Sequence, residues 1–331
     1  MKRKLLLFVC VLFFFTGSVF SEENAKKYEL RSVTGKPVEF KESWGYVMMS
    51  RANEYNKNMP LTDVCFFGGC VDVYGELADI PSRNKIDIGN ARAHLVINSD
   101  SRSLTHFILD PTYGVRNRLI KDIVKAAEMF DGVQLDFEYI PKRDRENFIK
   151  FIADLRYSLK GKIFSVCVPA RFKLLKEDMY PYAKIADYCD KIFVMCYDEH
   201  WSTSKPGAIA SMEWSRKVVD YAISVVPEKK LVMGIPFYGR TWSNKTTSGA
   251  WYFSGANRIM KENDVSEVIY DDEIPRFTYK TQVTVTGYFN DAYSAVALCR
   301  MYEKVGVKNI GFWRIGQEDP DFWKWLEIKE K

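Results

Sequence analysis

Histidine is nearly missing from this chain: His94, His106 and His200 are the only three in 331 residues. They are widely spaced, without the paired spacing of zinc ligands, so neither a catalytic metal nor another cofactor is expected. No Gly-rich phosphate loop follows the first β-rich run, which removes the main sign of a doubly wound nucleotide-binding sheet. No nucleophile elbow occurs either. Apolar residues never run on for the ~20 positions that a membrane-spanning helix needs. The longest such run, 5–15, has 11 residues, and charged residues make up 27% of the chain, which excludes a multi-span membrane protein. No block of basic residues points to nucleic acid. Internal repeats and low-complexity tracts are absent as well.

What is present describes a folded, exported chain. Hydrophobic residues make up 47% and aromatics 15%, too apolar for disorder and ample for a sizeable core. The length allows two domains or one large barrel. The formal charge of +5 comes partly from Lys2, Arg3 and Lys4, which precede the 5–15 run; small residues and then Glu22 and Glu23 follow it. That is the layout of a signal peptide over 1–21. Its removal leaves 45 basic against 43 acidic residues, a charge of +2. The expected destination is the periplasm or the medium of a bacterium. Of the cysteines outside the signal, Cys167 and Cys196 lie in apolar strand-like runs and read as small buried hydrophobes. Cys65 and Cys70 are the one pair close enough in sequence to test as a disulfide; the sequence disfavours that bond without deciding it.

Residues 22–43 are polar, without clear period, and read as an N-terminal leader to a body over 44–331. Short β-rich runs then occur at 44–49, 64–68, 93–98, 132–137, 163–169, 191–197, 230–236 and 309–313. Amphipathic stretches separate most of them. In 115–130, Leu119, Ile120, Ile123, Val124, Ala127 and Phe130 recur at helical spacing, as do Phe148, Ile152, Leu155 and Leu159 in 144–159. Eight short apolar strands alternating with helices predict an α/β fold, a (β/α)8 TIM barrel. After the seventh strand, 243–288 is rich in Thr, Ser, Asn, Tyr and charge. It reads as a small insertion on the barrel rim, built of short strands and with no simple helix before Ser294.

The most informative segment is Asp131-Gly132-Val133-Gln134-Leu135-Asp136-Phe137-Glu138-Tyr139. Strand alternation puts Gln134, Asp136 and Glu138 on one face and Val133, Leu135 and Phe137 on the other. In a barrel the apolar set meets the helices and the polar set points inward, where carboxyls are costly unless hydrogen-bonded or employed. Glu138 falls at the C-terminal end of the strand, where barrel enzymes keep catalytic groups. Like charges this close should raise one pKa and keep one carboxyl protonated near neutrality as a general acid. An exposed edge strand with solvated charges would not explain the uniformly apolar alternate positions.

This segment resembles the fourth-strand motif D-G-x-D-x-D-x-E of family 18 glycoside hydrolases, the chitinase family. Three more segments match in the same order. Met195-Cys196-Tyr197-Asp198 looks like the sixth-strand M-x-Y-D, and 234–242 looks like the seventh-strand G-x-P-x-Y-G-R-x-W. Gly311-Phe312-Trp313 looks like the eighth-strand tryptophan motif, and Gly45-Tyr46 fits the first strand. The resemblance spans about 44–325. One position departs: the middle acid of the family motif is Gln134 here. Together with Gly316-Gln317-Glu318-Asp319, this is more similar to the bacterial branch that acts on spore cortex and peptidoglycan.

The resemblance implies a retaining, substrate-assisted glycosidase, an exception to the usual carboxylate nucleophile. Glu138 is then the acid/base. Asp136 turns to the 2-acetamido N–H, and Tyr197 holds the acetamido oxygen as it attacks the anomeric carbon. Asp131 anchors the strand start and, with Gln134, supports Asp136. Trp313 stacks under the sugar; Tyr46, Met195, Asp198, Tyr238 and Arg240 surround the subsites. The expected substrate is a β-linked N-acetylglucosamine polysaccharide, of peptidoglycan or chitin type, taken by a monomer without metal or nucleic acid. Two rivals stand beside this reading. One is a catalytically silent chitinase-like glycan-binding barrel, which retention of Glu138 opposes. The other is a barrel hydrolase of a sugar lacking the acetamido group.

Overall fold

The computed structural model describes residues 28–244 and 248–329, so the 1–21 signal segment lies outside the described residues. Eight parallel strands form the body: β1 (Glu42–Met48), β2 (Asp63–Val71), β3 (Arg92–Ser99), β4 (Gly132–Phe137), β5 (Ile163–Pro169), β6 (Lys191–Met195), β7 (Leu231–Pro236) and β8 (Asn309–Trp313). Each pairs with its neighbour in sequence, and β8 pairs with β1 to close the barrel. The (β/α)8 architecture is therefore complete in its strands. Its helices are unevenly distributed: α1 (Arg102–Leu109) and α2 (Val115–Ala126) follow β3, and α3 (Arg145–Ser158) follows β4. After β5, β6 and the rim insertion come α4 (Tyr182–Ala186), α5 (Met212–Val225) and α7 (Ala292–Lys304). Among the described residues the β1–β2 and β2–β3 links carry no α-helix: the first has the 3-10 turn Met49–Glu54, the second the short strand Leu77–Ala78, antiparallel to the end of β2, and the 3-10 turn Arg83–Lys85.

The strand alternation sorts the core into two layers. Val133, Leu135 and Phe137 join the large cluster between strands and helices, as do Ile310 and Phe312. Trp44, Tyr46, Cys65, Val96, Cys167, Phe193 and Val232 fill the barrel interior. Gly311 makes this filling possible: a Cβ there would stand 2.3 Å from Phe193 Cε2. The bottom of the barrel is closed by charge. Asp63, fully buried, accepts from Arg92 at 2.8 and 2.7 Å and faces His94 Nε2 at 2.6 Å. An unpaired charge in that position would cost several kcal/mol.

The insertion contains a helix that the sequence pattern does not predict, α6 (Phe253–Glu262). It is short and includes Gly255 and Asn257, both poor helix formers. Packing supplies what propensity lacks: Ala256, Ile259 and Met260 bury against Phe277 and Phe289. Beside it lies a five-stranded antiparallel sheet whose first strand, Tyr238–Ser243, directly follows β7. The described part of the leader lies on this body. Tyr28 donates to Asn257 Oδ1 at 2.8 Å, and Arg31 sits 4.3 Å over the Tyr270 ring and pairs with Glu273 at 3.1 Å. Val38–Phe40 pairs in parallel with Leu326–Ile328. The six cysteines from Cys65 to Cys299 are all free, including Cys65 and Cys70.

Candidate active site

A cavity of about 350 Å3 opens at the C-terminal mouth of the barrel. Asp136 and Glu138 reach it from β4 and the residue just past it, Met195, Tyr197 and Asp198 from the end of β6, and Trp313 from the end of β8. Tyr238 and Arg240 enter from the first strand of the insertion. Two residues that follow catalytic candidates adopt left-handed backbone: Tyr139 at φ +53° and Asp198 at φ +56°. The conformation is unfavourable for a bulky residue such as Tyr139. In both places it turns the chain sharply away at the strand end.

Beneath Asp136 runs a chain of polar side chains inside the barrel. Gln134, fully buried, donates from Nε2 to Ser165 Oγ at 3.1 Å, and its Oε1 accepts from the Tyr46 hydroxyl. Tyr46 Oη lies 3.3 Å from Cys167 Sγ, and the Cys167 thiol also reaches the Asp136 carboxyl. With the Tyr46 proton committed to Gln134, the single thiol proton is left to face the Asp136 carboxyl, and Tyr46 Oη stands beside the sulfur without receiving it. Asp136 Oδ1 has no partner, although it is buried. Burial, and after it the charge of Glu138, pushes the Asp136 pKa up to about 7, which the Cys167 hydrogen bond partly offsets. Glu138 is raised too, first by burial and then by Asp100 and Asp198. The expected shift is present, but desolvation outranks like-charge repulsion in both carboxyls.

Other candidates divide by position. Asp131 accepts from the Ala93 N–H at 2.7 Å at the opposite end of β4. Five residues of extended strand, roughly 16 Å, separate it from Asp136; its role here is to anchor the strand. Tyr46 lines the cavity with its ring, while its hydroxyl faces down into the polar chain. Asp198 accepts from the Tyr238 hydroxyl at 2.6 Å and from Arg240 at 3.1 Å, and so ties the insertion to β6. Trp313 is held by the edges of Tyr46 and Phe67, with ring centroids 5.2 and 5.0 Å away. His200 takes no part in the cavity; its Nδ1 pairs with Ala208 O, 2.8 Å away in its own loop.

Sequence reasoning missed Asn98, Asp100, Phe67, Ala250 and Gln317, all of which line the cavity, and gave Cys167 only a packing role. A signal existed for Asn98 and Asp100. They continue the inward register of His94 and Val96, Asn98 in the last pleat of β3 and Asp100 just past its end, the place where barrels present functional groups. Gln317 brings a buried, unpartnered Oε1. The one group among the described residues with the proximity for a metal is His106, Asp110 and Asp144, whose ligand atoms lie within 4.8 Å of one another. His106 Nδ1 already pairs with Asp144 at 2.8 Å and its Nε2 faces Asp110 at 3.8 Å, so the trio reads as a tie between α1 and the loop after β4.

The family model for glycosyl hydrolases family 18 matches residues 99–318, the span that holds both carboxyls, Tyr197, the insertion and Trp313. The chain belongs to glycosyl hydrolase family 18. Among curated relatives of this family 18 chain, the glycosylase YvbX of Bacillus subtilis is 26% identical over 229 residues, 63% of this chain and 64% of that protein. The cortical fragment-lytic enzyme of Bacillus subtilis is 24% identical over 225 residues, 63% of this chain and 52% of its own length. The family 18 chain thus spans between half and two thirds of these relatives. The crystal structure of the Bacillus cereus spore cortex-lytic enzyme SleL superposes with a TM-score of 0.79 at 23% identity, over 90% of this chain and 76% of that one. That likeness shows that the two chains share one barrel fold.

Proposed function

We propose that this family 18 chain is an exported glycosidase that cleaves β-linked N-acetylglucosamine in a polymer of peptidoglycan or chitin type. The observation that carries the reading is the unpartnered Asp136 Oδ1, buried beside Glu138 in a cavity walled by Tyr197 and Trp313. A buried acceptor without a donor is costly unless a ligand supplies one, and a 2-acetamido N–H has the right chemistry. Glu138 protonates the glycosidic oxygen while the substrate's acetamido oxygen attacks the anomeric carbon. Asp136 gives its proton to water in the cleft, is held ionised by the hydrogen bond from the acetamido N–H, and stabilises the positive charge that develops. Tyr197, whose phenol is held well above its ordinary pKa by burial, stays a proton donor to the acetamido oxygen. Glu138 then acts as base for the incoming water, which gives retention. The peptidoglycan side of the substrate range draws support from the cortical fragment-lytic relative, and export from the basic and apolar N-terminal segment.

Release of a chromophore from an N-acetylglucosamine oligomer, compared between wild type and Glu138→Gln, tests the reading. Removal of the acid/base should cost at least a hundredfold. The analogue lacking the 2-acetamido group should not be turned over. Binding of chitooligosaccharide and wall glycan without turnover of either would replace the enzyme by a glycan-binding barrel.

A further inference from the structure

We infer that the cleft continues into an anion-binding groove, and that the glycan it takes carries carboxylates along the strand. A second cavity, of about 510 Å3, is lined by Arg102, Ser103, Pro141, Lys142 and Arg143. Three cations and no acid line it, whereas the catalytic cavity holds Asp100, Asp136, Glu138 and Asp198 against Arg240 alone. The two cavities share their loops. Asp100 lies in the first and Arg102 in the second; Glu138 lies in the first and Pro141 in the second. At no more than ~3.6 Å per residue, the groove begins within about 11 Å of Glu138 along the chain, within reach of a neighbouring sugar.

The groove is built into the fold. Its two walls, the start of α1 and the loop after β4, are tied by the buried Asp144 carboxylate on His106 Nδ1 at 2.8 Å and by Thr105 Oγ1 donating to Glu138 O at 3.3 Å. Arg102 has no ion pair among the described residues, and α1 begins at that residue, so the positive end of the helix dipole adds to its wall. Lys142 pairs with Glu177 at 2.5 Å, both of them largely exposed, and Arg143 Nε lies 3.9 Å from Asp144, whose nearer partner is His106. The exposed Lys142–Glu177 pair is weak and exchanges readily for another anion, and Arg143, itself exposed, touches the buried Asp144 only at the limit of ion-pair distance. Chitin offers no charge to such a groove, whereas a glycan bearing carboxylates on alternate sugars does.

The inference rests on the glycosidase reading for its substrate, and its test separates the two. Three probes serve: wall glycan strands with free carboxylates, the same strands amidated with carbodiimide and methylamine, and neutral chitooligosaccharide. The Arg102→Gln, Lys142→Gln, Arg143→Gln variant should lose about tenfold in kcat/KM on the carboxylate strands, mostly through KM, as expected for three exposed charges. It should keep wild-type rates on the other two probes and lose the salt dependence that wild type shows on the first. Equal losses on all three probes, or none on any, would overturn the groove. Binding of each probe to Glu138→Gln, with and without the three groove changes, separates the same outcomes without turnover. Absence of turnover in wild type would sink the glycosidase reading alone.

Discussion

Cys167 offers the sharpest test of how the polar chain under Asp136 sets the chemistry. The thiol is buried, and its hydrogen bond is the one interaction that lowers a pKa which burial and Glu138 hold at about 7. Cys167→Ala removes that donor and leaves the ionised carboxyl without one. Hydrogen bonds to charged groups are worth roughly 1.5–3 kcal/mol, with a weak thiol donor at or below the low end. The ionised form should therefore lose about 1.4 kcal/mol, which raises the pKa by about one unit. Cys167→Ser puts a stronger donor in the same place and should move the pKa the other way.

In the proposed mechanism the active form has Asp136 ionised, so activity is expected to rise with pH through its pKa. Raising that pKa carries the acid limb of kcat/KM to higher pH, and lowering it carries the limb down. Well below pH 7, Cys167→Ala should then run about tenfold slower than wild type, and above pH 8 the two should converge. Initial rates on a chromogenic N-acetylglucosamine oligomer across pH give the limb directly. The limb in kcat should lie below the limb in kcat/KM, because bound substrate supplies the donor that Oδ1 lacks in the free enzyme. If the Ala and Ser variants move the limb in the same direction, or lose activity equally at every pH, the thiol is only packing and does not tune Asp136.

Asp136→Asn should make the protein more stable at pH 8. A carboxyl raised from 3.8 to about 7 contributes stability below pH 4 that is lost as pH rises through 7, a difference of at most about 4 kcal/mol; urea unfolding at pH 4 and pH 8 should show the gap only at the higher pH, and an equal gap at both would refute it. Gly311→Ala drives a methyl to 2.3 Å from the buried Phe193 ring and should cost about 1–3 kcal/mol in urea unfolding, with activity falling because Trp313 stands two residues on; an unchanged midpoint would mean the barrel interior is looser than its packing indicates. Arg31→Ala removes the ion pair with Glu273 and the ring contact with Tyr270, worth about 1 kcal/mol together, and should speed protease cleavage within 28–37. Wild-type cleavage kinetics would show that the leader is held by other contacts.

The barrel was legible because parallel strands covered on both sides read as short apolar runs, and the one strand with inward carboxyls broke that pattern in register. Strand ends were less legible: β2 runs on past Gly68 and Gly69, which interrupt its apolar run, to Val71, and β6 stops at Met195, before the apolar-looking Cys196 and Tyr197. Helix α6 escaped because its stability lies in contacts with Phe277 and Phe289, residues distant in sequence. At the site, strand alternation led to Asp136 and Glu138 and the family resemblance to Tyr197 and Trp313, all of which line one cavity. Cys167 could not be found that way. Its sequence neighbourhood is that of any buried strand cysteine, and only barrel closure sets it between Tyr46 and Asp136.

Gln134 shows why the departure from the family motif changes the electrostatics without dismantling the site. A carboxyl at that position, two residues or about 6.6 Å along the strand from Asp136, would interact with it by roughly 2–3 kcal/mol at an effective dielectric of 20. That is enough to force the pair to share protons with each other. The amide carries no charge and cannot take part. It also fixes the direction of every bond below the site, since Nε2 can only donate, to Ser165, and Oε1 can only accept, from Tyr46. No proton can pass along such a chain. The Asp136 proton therefore leaves upward, to water in the cleft, and under the proposed mechanism the acetamido N–H of the arriving substrate holds the carboxylate ionised. Under the proposed mechanism the acetamido group thus serves twice: its oxygen attacks, and its N–H keeps ionised the residue that steadies the attack.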